Sequence, residues 1–396
     1  MAGHIKETPV QKGRDRVRFA ERTADPALVS QSGKDVFRFN KFSAMKNLIA
    51  FIITIAIAIT AYSQQTSSND ILGRPYKDFS TTAFCSYSSF HPSQYITDNN
   101  WDILCAFRTP GAVSKLDSLN IPYNKSQLRL LMVGDLMSFS NGILKTKMPI
   151  FDKLQTAEIR AESKAFADSI FPTIEPKIKK LISAFNAQGY KAQIYSLIFS
   201  YLLDGYIWDE GKLPTLDQME SHGTWAGAYW AMYEKRLEDR IGTNGYGPLK
   251  VNWTDELAYW PSDEVLIDFA RLIMEGKLPV EDVELRNKLL KWNLVDSEGQ
   301  PTIPIIKSGN QDEIDILCDE IASNISGVIK SHSSFFASKY DVATQQEAQV
   351  IFYHEVMWDL LALLESNGLI EKPAILKGEE VGSVHFSDIS FIVLTD

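Results

Sequence analysis

The chain has few cysteines. Cys85, Cys105 and Cys318 are the only three among 396 residues, which excludes a small fold held together by several disulfides. Cys85 and Cys105 could form one bridge outside the cytoplasm. Cys105 lies in an apolar, helix-like run, however, so a buried free thiol is the competing interpretation. No cysteine directly follows the apolar segment at residues 47–63, and a bacterial lipoprotein is therefore not indicated.

The chain also lacks recognisable catalytic and metal-binding motifs. A zinc-protease helix needs a second histidine four positions after the first, but Trp358 stands at that position after His354. Glu355 and Asp359 lie four apart on one helix face and could hold a cation, although a buried polar cluster or a solvated edge is the favoured interpretation. The sequence contains no Gly-x-Ser-x-Gly segment. We therefore predict no catalytic residue, no metal and no cofactor.

Positive charge is scarce after residue 63. The first 63 residues hold ten basic and five acidic residues, which leaves 30 basic and 45 acidic residues, a net charge of −15, for the rest. Nucleic-acid binding depends on Lys and Arg to neutralise phosphates, so the composition disfavours a nucleic-acid partner. The remainder has about 330 residues, which is enough for two domains with sizeable cores.

The main apolar run covers residues 47–63, with the sequence NLIAFIITIAIAITAYS. Lys46 precedes it, and Ala61 and Ser63 supply the small residues of a signal-peptidase site before a polar stretch. The run is a little shorter than the ~20 apolar residues of a relaxed membrane span. The stretch AYSQQ resembles the exit of signal peptides from Bacteroidetes-type bacteria. We predict a signal peptide or signal anchor at residues 45–63 and a periplasmic or extracellular protein, with membrane contact only if residues 47–63 stay uncleaved.

Residues 1–44 are basic and poor in large apolar side chains, so they cannot bury a core. Two explanations remain open. Met45 is the real start and the preceding stretch is an over-extended reading of the gene, or residues 1–44 form a disordered basic tail on the cytoplasmic side of an anchor. Both explanations give the same orientation, because positive charge stays inside.

Two stretches of the remaining chain show the same order of elements. Each has a helix candidate, a turn with a strand-like run, a long helical stretch and an apolar helix. The first copy places the helix candidate, the strand-like run and the long helical stretch at residues 124–137, 143–151 and about 154–185, and its apolar helix begins at Ala192. The second copy places them at 281–293, 300–306 and about 312–330, and its apolar helix begins at Ala348. This order predicts an internal duplication.

In the first copy, short apolar helices at residues 101–107 and 111–119 precede the helix candidate and the two-stranded turn. Three helices followed by a β-hairpin resemble a winged helix. In the second copy, residues 264–274 take the second helix position, and residues 254–260 match the first only weakly. The resemblance implies a mainly α fold with short β-hairpins (α+β), in which two winged-helix-like repeats are each followed by long helices.

These observations predict the domain organisation of the chain after the signal. It consists of a linker at 64–98, a first winged-helix-like repeat at 99–214, an aromatic-rich junction at 215–261 and a second repeat at 262–396.

Half of the chain's eight tryptophans fall within residues 222–261. The sequence GTNGYGP at 242–248 predicts a tight loop, since Gly and Asn adopt positive φ readily. Aromatic faces on such a loop can stack on sugars or cations or form a protein-binding hot spot, while packing of the junction is the competing interpretation. The candidate binding residues are Trp225, Tyr229, Trp230, Asn244, Tyr246, Trp253 and Trp260.

The sequence thus predicts an exported, non-catalytic binding or protein-interaction module whose partner is a protein or a glycan. The first alternative is a glycan-directed hydrolase that uses His222, Asp255 or Glu256, because paired carboxylates perform acid and base catalysis at glycosidic bonds. The second alternative is a winged-helix DNA-binding regulator. Export opposes that alternative, as do the acidic residues that crowd the start of the helix at 281–293.

Overall fold

The computed structural model describes residues 70–85, 92–214, 227–236, 241–257, 259–309, 311–378 and 385–395. The predicted basic tail at 1–44 and the predicted signal at 45–63 lie outside these residues, as do the candidate residues His222 and Trp225. Among the residues that are described, no helix is long and apolar enough to cross a membrane.

A small helical unit with a three-stranded sheet is built from residues 100–146. Its helices and strands, in chain order, are α1 (Asn100–Ala106), β2 (Gly111–Ala112), α2 (Ser114–Ser118), α3 (Lys125–Val133), β3 (Met137–Ser140) and β4 (Ile143–Thr146). Asn124 caps α3 by accepting from the Gln127 amide, and the Gln127 side chain accepts from the Asn124 amide in return. The β3–β4 hairpin turns at Asn141 and Gly142, which both have positive φ. All strands are antiparallel in the order β2-β4-β3.

Residues 70–85 and 92–98 belong to the folded part of the protein, so the prediction of a linker at 64–98 is wrong for these described residues. Strand β1 (Phe79–Cys85) pairs antiparallel with β5 (Gly227–Glu234). Ile71, Phe79 and Tyr95 are buried in the same core as the small helical unit. The sequence signal was weak because polar and small residues surround these isolated apolar anchors.

Long helices form the main body. These are α4 (Lys153–Ala187), the segment α5 (Ile194–Ser196), π1 (Leu197–Tyr206) and α6 (Ile207–Asp209), then α9 (Glu313–Tyr340) and α10 (Gln345–Ser366). Helices α4, α9 and α10 all pack against one another. Asp152, Asp312 and Thr344 cap the three long helices. The predicted long helices are confirmed, although α9 extends ten residues beyond the predicted end at 330.

The region predicted as junction and second repeat differs from expectation. Besides β5, α9 and α10, its described part contains β6 (Ile241–Tyr246), β7 (Leu249–Thr254), α7 (Asp263–Met274), α8 (Val283–Lys291), β8 (Ile305–Ser308) and β9 (Ser390–Thr395). Residues 242–248 are therefore mostly strand, and only Gly247-Pro248 form the turn. Residues 254–260, the weak match to the first helix, form no helix in their described part (254–257 and 259–260), because Thr254 ends β7 and a turn follows.

The four-stranded sheet has the order β6-β7-β9-β8, in which β8 and β9 are parallel and the other pairs antiparallel. The predicted second hairpin is reduced to one antiparallel bridge between Val295 and Pro301. The next strand, β8, pairs instead with the apolar C-terminal strand β9, whose Phe391 and Ile392 are fully buried. Burial of those side chains outweighs a local hairpin, so the second copy departs from the first.

The described residues form two hydrophobic cores. The first core contains residues from 71 to 150 together with Met232, and the second core contains residues from 151 to 392. Strand β5 serves both cores, because side chains alternate across a strand: Met232 belongs to the first core, whereas Ala231 and Tyr233 belong to the second. Helices predominate over short sheets, as predicted for a mainly α fold with some β structure. Cys105 is a buried free thiol.

Candidate functional site

A cleft of about 410 Å³ lies where β1, β5, β6 and β7 meet π1, α4 and α10. Aromatic rings and ionisable side chains share its wall, which is the composition of a typical ligand site. The aromatic lining residues are Phe79, Phe199, Tyr233, Trp253 and Trp358, and the ionisable ones are Arg160, Asp204, Arg236, Asp255, His354 and Glu355.

The π-helix π1 contributes Phe199 and Asp204 to the cleft. A π-helix this long is rare, and π-helical turns occur frequently at functional sites. Gly205 makes the wide turn possible here, because a Cβ at that position would lie only 2.7 Å from the Ser200 carbonyl oxygen. The same turn places Ser200 and Asp204 together against Thr243 of β6.

A directed chain of hydrogen bonds ends on Asp204. Thr243 Oγ1 donates to Asp204 Oδ2 at 2.9 Å, and the Ser200 and Thr243 hydroxyl oxygens are 2.7 Å apart. Asn252 of β7 donates to Ser200 Oγ. Each hydroxyl has one proton to give, so Ser200 donates to Thr243 when Thr243 donates to Asp204. Burial nevertheless raises the pKa of Asp204 to about 6, against the lowering effect of the Thr243 hydrogen bond.

A buried ion cluster forms one wall of the cleft. Glu355 Oε2 accepts from Arg160 Nε at 3.2 Å and from Arg236 Nη2 at 2.7 Å. Arg236 also lies 3.5 Å from Asp359, which accepts a hydrogen bond from Ser163. Burial raises the pKa of Asp359.

Glu355 and Asp359, which the sequence singled out, thus belong to a buried polar cluster. This is one of the interpretations that the sequence favoured. No group of residues suited to hold a metal ion occurs among the described residues.

His354 lies beside this cluster as a neutral imidazole. Its Nδ1 is 2.7 Å from the Val350 carbonyl oxygen and donates to it, which leaves Nε2 as an acceptor. Burial lowers the pKa of His354. The imidazole stacks on Trp208 with ring centroids 5.5 Å apart. His354 therefore presents an acceptor without adding charge to the cleft at neutral pH.

Aromatic rings are fixed at two places in the wall. Trp358 stacks on Phe199 with centroids 5.4 Å apart and planes at 29°. Trp253 lies flat against Gly242 on the neighbouring strand, because a Cβ at Gly242 would come within 2.5 Å of the indole. Glycine at position 242 therefore sets the position of the Trp253 ring.

The structure separates the predicted binding residues. Trp253 lines the cleft, together with the hydrolase candidate Asp255. Tyr246 and Trp260 meet elsewhere, at the start of α7, where Tyr246 Oη donates to Asp263 Oδ1 at 2.7 Å and Trp260 Nε1 donates to it at 3.4 Å.

Burial, followed by the contact with Asp263, raises the pKa of Tyr246 to about 12, and Asn244 hydrogen-bonds the same tyrosine. Trp260 packs edge-on against the buried Phe386 with centroids 5.3 Å apart. These residues therefore pack the junction, as in the competing interpretation. Tyr229 and Trp230 lie in β5 opposite Phe84 and Ala83.

Sequence reasoning missed most of the cleft. Asp204 carried one usable signal, because it is a lone carboxylate in the otherwise uncharged run 192–208, directly before a glycine. Arg160, Arg236, Tyr233 and Phe199 carried none, since nothing local distinguishes them from other surface cations or core aromatics.

Comparison of the chain with protein-family models, with curated proteins and with solved structures finds no match.

Proposed function

We propose that this protein is an exported, non-catalytic binding protein that holds a small polar ligand in the cleft beside Trp253 and π1. The single observation that carries the proposal is the convergence of fixed aromatic rings and paired ionisable groups in one cleft. Its volume of about 410 Å³ falls in the range of ligand pockets, roughly 300–1,000 Å³. The ion pairs of Glu355 with Arg160 and Arg236 hold the side chains of this wall in place, as a binding site needs.

The experiment compares the wild type with Trp253→Ala and with Trp260→Ala as the matched control, since Trp260 lies outside the cleft. Thermal unfolding is followed in the presence of sugars, amino acids, carboxylates and ammonium compounds, because a ligand of the folded state raises Tm. We expect at least one class to raise Tm in the wild type and in Trp260→Ala but not in Trp253→Ala. A shift that Trp253→Ala retains would place binding outside the cleft and overturn the proposal, as would the absence of any shift.

Export rests on the sequence of residues 45–63, which lie outside the described residues. N-terminal sequencing of the protein from separated cell fractions tests it. We expect a mature start near Gln64 in the periplasmic or extracellular fraction. A cytoplasmic protein that retains residues 1–63 would contradict export.

The first repeat is proposed to be winged-helix-like and to serve protein contact. The element order of residues 100–146 and the strand order β2-β4-β3 support the resemblance. The exposed surface of α3 and the hairpin includes the apolar side chains Leu130, Val133, Phe139 and Ile143. Apolar exposure of this kind favours protein contact over phosphate contact. In a gel mobility experiment, we expect the protein not to retard duplex DNA at low salt. Salt-sensitive binding would instead support the DNA-regulator alternative.

A hydrolase acting on glycans is the second candidate, favoured by one observation. Asp204 and Asp255 line the same cleft, and a carboxyl with a pKa near 6 can be protonated close to neutral pH. Release of reducing ends from soluble glycans, measured for the wild type and Asp204→Asn, decides between turnover and binding alone. Turnover that Asp204→Asn abolishes would replace the binding proposal with the enzymatic one.

A further inference from the structure

We infer that the cleft takes a neutral carbohydrate, with one sugar ring stacked on Trp253. This inference rests on the proposed binding function and specifies the class of ligand.

Trp253 presents a flat aromatic surface to the cleft. Gly242 and Trp253 face each other in register across β6 and β7, and the indole covers the glycine so closely that no side chain fits between them. The ring is partly exposed and lines the cleft. A flat, rigid, amphipathic ring gives a large contact area at a low entropy cost. The C–H face of a sugar ring is a matching flat apolar surface.

Charges of both signs line the cleft. Arg160 and Arg236 both bind Glu355, and Arg160 also donates to the Glu234 carbonyl oxygen at 2.6 Å. The guanidinium groups are thus already engaged by protein acceptors, and the carboxylates Asp204 and Asp255 line the same cleft. A charged ligand of either sign would therefore bring like charges together in a partly buried space, which is unfavourable.

The lining of the cleft includes several kinds of hydrogen-bonding group. The cleft is lined by carboxylates, which accept hydrogen bonds, and by the hydroxyls of Ser80 and Thr81, which can donate and accept. Sugar hydroxyls donate and accept equally, so they can use all of these groups without introducing charge. A simple carboxylate or an ammonium compound brings a net charge instead.

The test is isothermal titration calorimetry of the purified protein with three matched sugars at neutral pH: N-acetylglucosamine, glucosamine and glucuronate. Cello- and malto-oligosaccharides are included to show whether the sugar ring that stacks on Trp253 belongs to a single sugar or to a longer chain. We expect the neutral compounds to bind best and Trp253→Ala to weaken that binding about ten-fold or more. Trp253→Phe keeps a ring and should restore most of the affinity, whereas Trp260→Ala should bind as the wild type.

The outcomes separate the two proposals. Trp253-dependent binding of glucosamine or glucuronate in preference to neutral sugars would overturn the carbohydrate inference but leave the cleft as a binding site. Neutral-sugar binding that is equal in Trp253→Ala and the wild type would also overturn it. If none of these sugars binds while another class of compound raises Tm through Trp253, the carbohydrate inference fails alone. If no compound of any class engages the cleft, both proposals fail.

Discussion

The first core takes nearly all its residues from one continuous stretch, 71–150, whereas the second core joins segments spread from 151 to 392. In the first, helices and strands pack against their sequence neighbours. In the second, the cleft depends on residues such as Arg160, Arg236 and Glu355, which lie far apart in the chain. Local contacts cost little loop entropy, whereas distant contacts gain their stabilisation only when the whole core assembles. The candidate site therefore belongs to the second core, which depends on contacts between residues far apart in the chain.

The largest expected effect comes from the buried ion cluster in the second core. Glu355→Ala would leave Arg160 and Arg236 without their shared partner, at an expected cost of about 3–5 kcal/mol in the free energy of unfolding. The control is Glu284→Ala, which breaks the exposed pair with Lys288 and should change the stability little, because solvent screens that pair. Urea denaturation measures both. Equal effects would show that the cluster adds nothing beyond a surface pair.

Truncation within each core tests whether the two are separable. Leu131→Ala in the first core and Leu360→Ala in the second each remove a fully buried side chain, at about 2–4 kcal/mol. Hydrogen exchange should show lost protection mainly in residues 100–146 for Leu131→Ala and mainly in α4, α9 and α10 for Leu360→Ala. If either variant weakens both regions equally, the shared strand β5 makes them one cooperative unit, and the distinction between the cores fails.

A pH effect should come from the second core through Asp204. Burial raises its pKa to about 6, above the unfolded value, so its contribution to stability is present below about pH 4 and is lost as the pH rises through 6. Asp204→Asn should therefore gain stability relative to the wild type between pH 4 and 7, by about 2 kcal/mol. Thr243→Val removes the hydrogen bond that lowers this pKa. The loss of stability with rising pH should therefore occur at higher pH in this variant than in the wild type. Denaturation curves across this range check both, and a difference between wild type and Asp204→Asn that does not vary with pH would contradict the assignment.

The smallest expected effect is in the strand that carries Trp253. Gly242→Ala places a Cβ about 2.5 Å from the indole, so the ring must move, at a cost of about 1–2 kcal/mol. Gly245→Ala in the same strand meets only the flexible end of Lys250, at 3.2 Å, and should be nearly neutral. Thermal unfolding and tryptophan fluorescence distinguish them. Identical fluorescence in both variants would show that Gly242 does not hold the ring in place.

The helices and strands that depend on neighbouring residues could be predicted from the sequence alone. The long helices α4 and α9 follow from apolar periodicity after the capping residues Asp152 and Asp312, and the β3–β4 hairpin follows from the Asn-Gly turn. The Glu355–Asp359 pair was also visible, because residues four apart share a helix face.

Contacts between residues far apart in the chain could be seen only in the folded structure. Residues 242–248, read as a loop from their glycines, became strand because β7 and β9 complete a sheet around buried side chains. Trp253 joined the cleft while Tyr246 and Trp260 packed against α7 and Phe386, although all three look alike in the sequence. The guanidinium groups of Arg160 and Arg236 meet at Glu355 because α4, α10 and the end of β5 share one core. Such contacts are set by the summed burial of that core, which no local pattern of residues encodes.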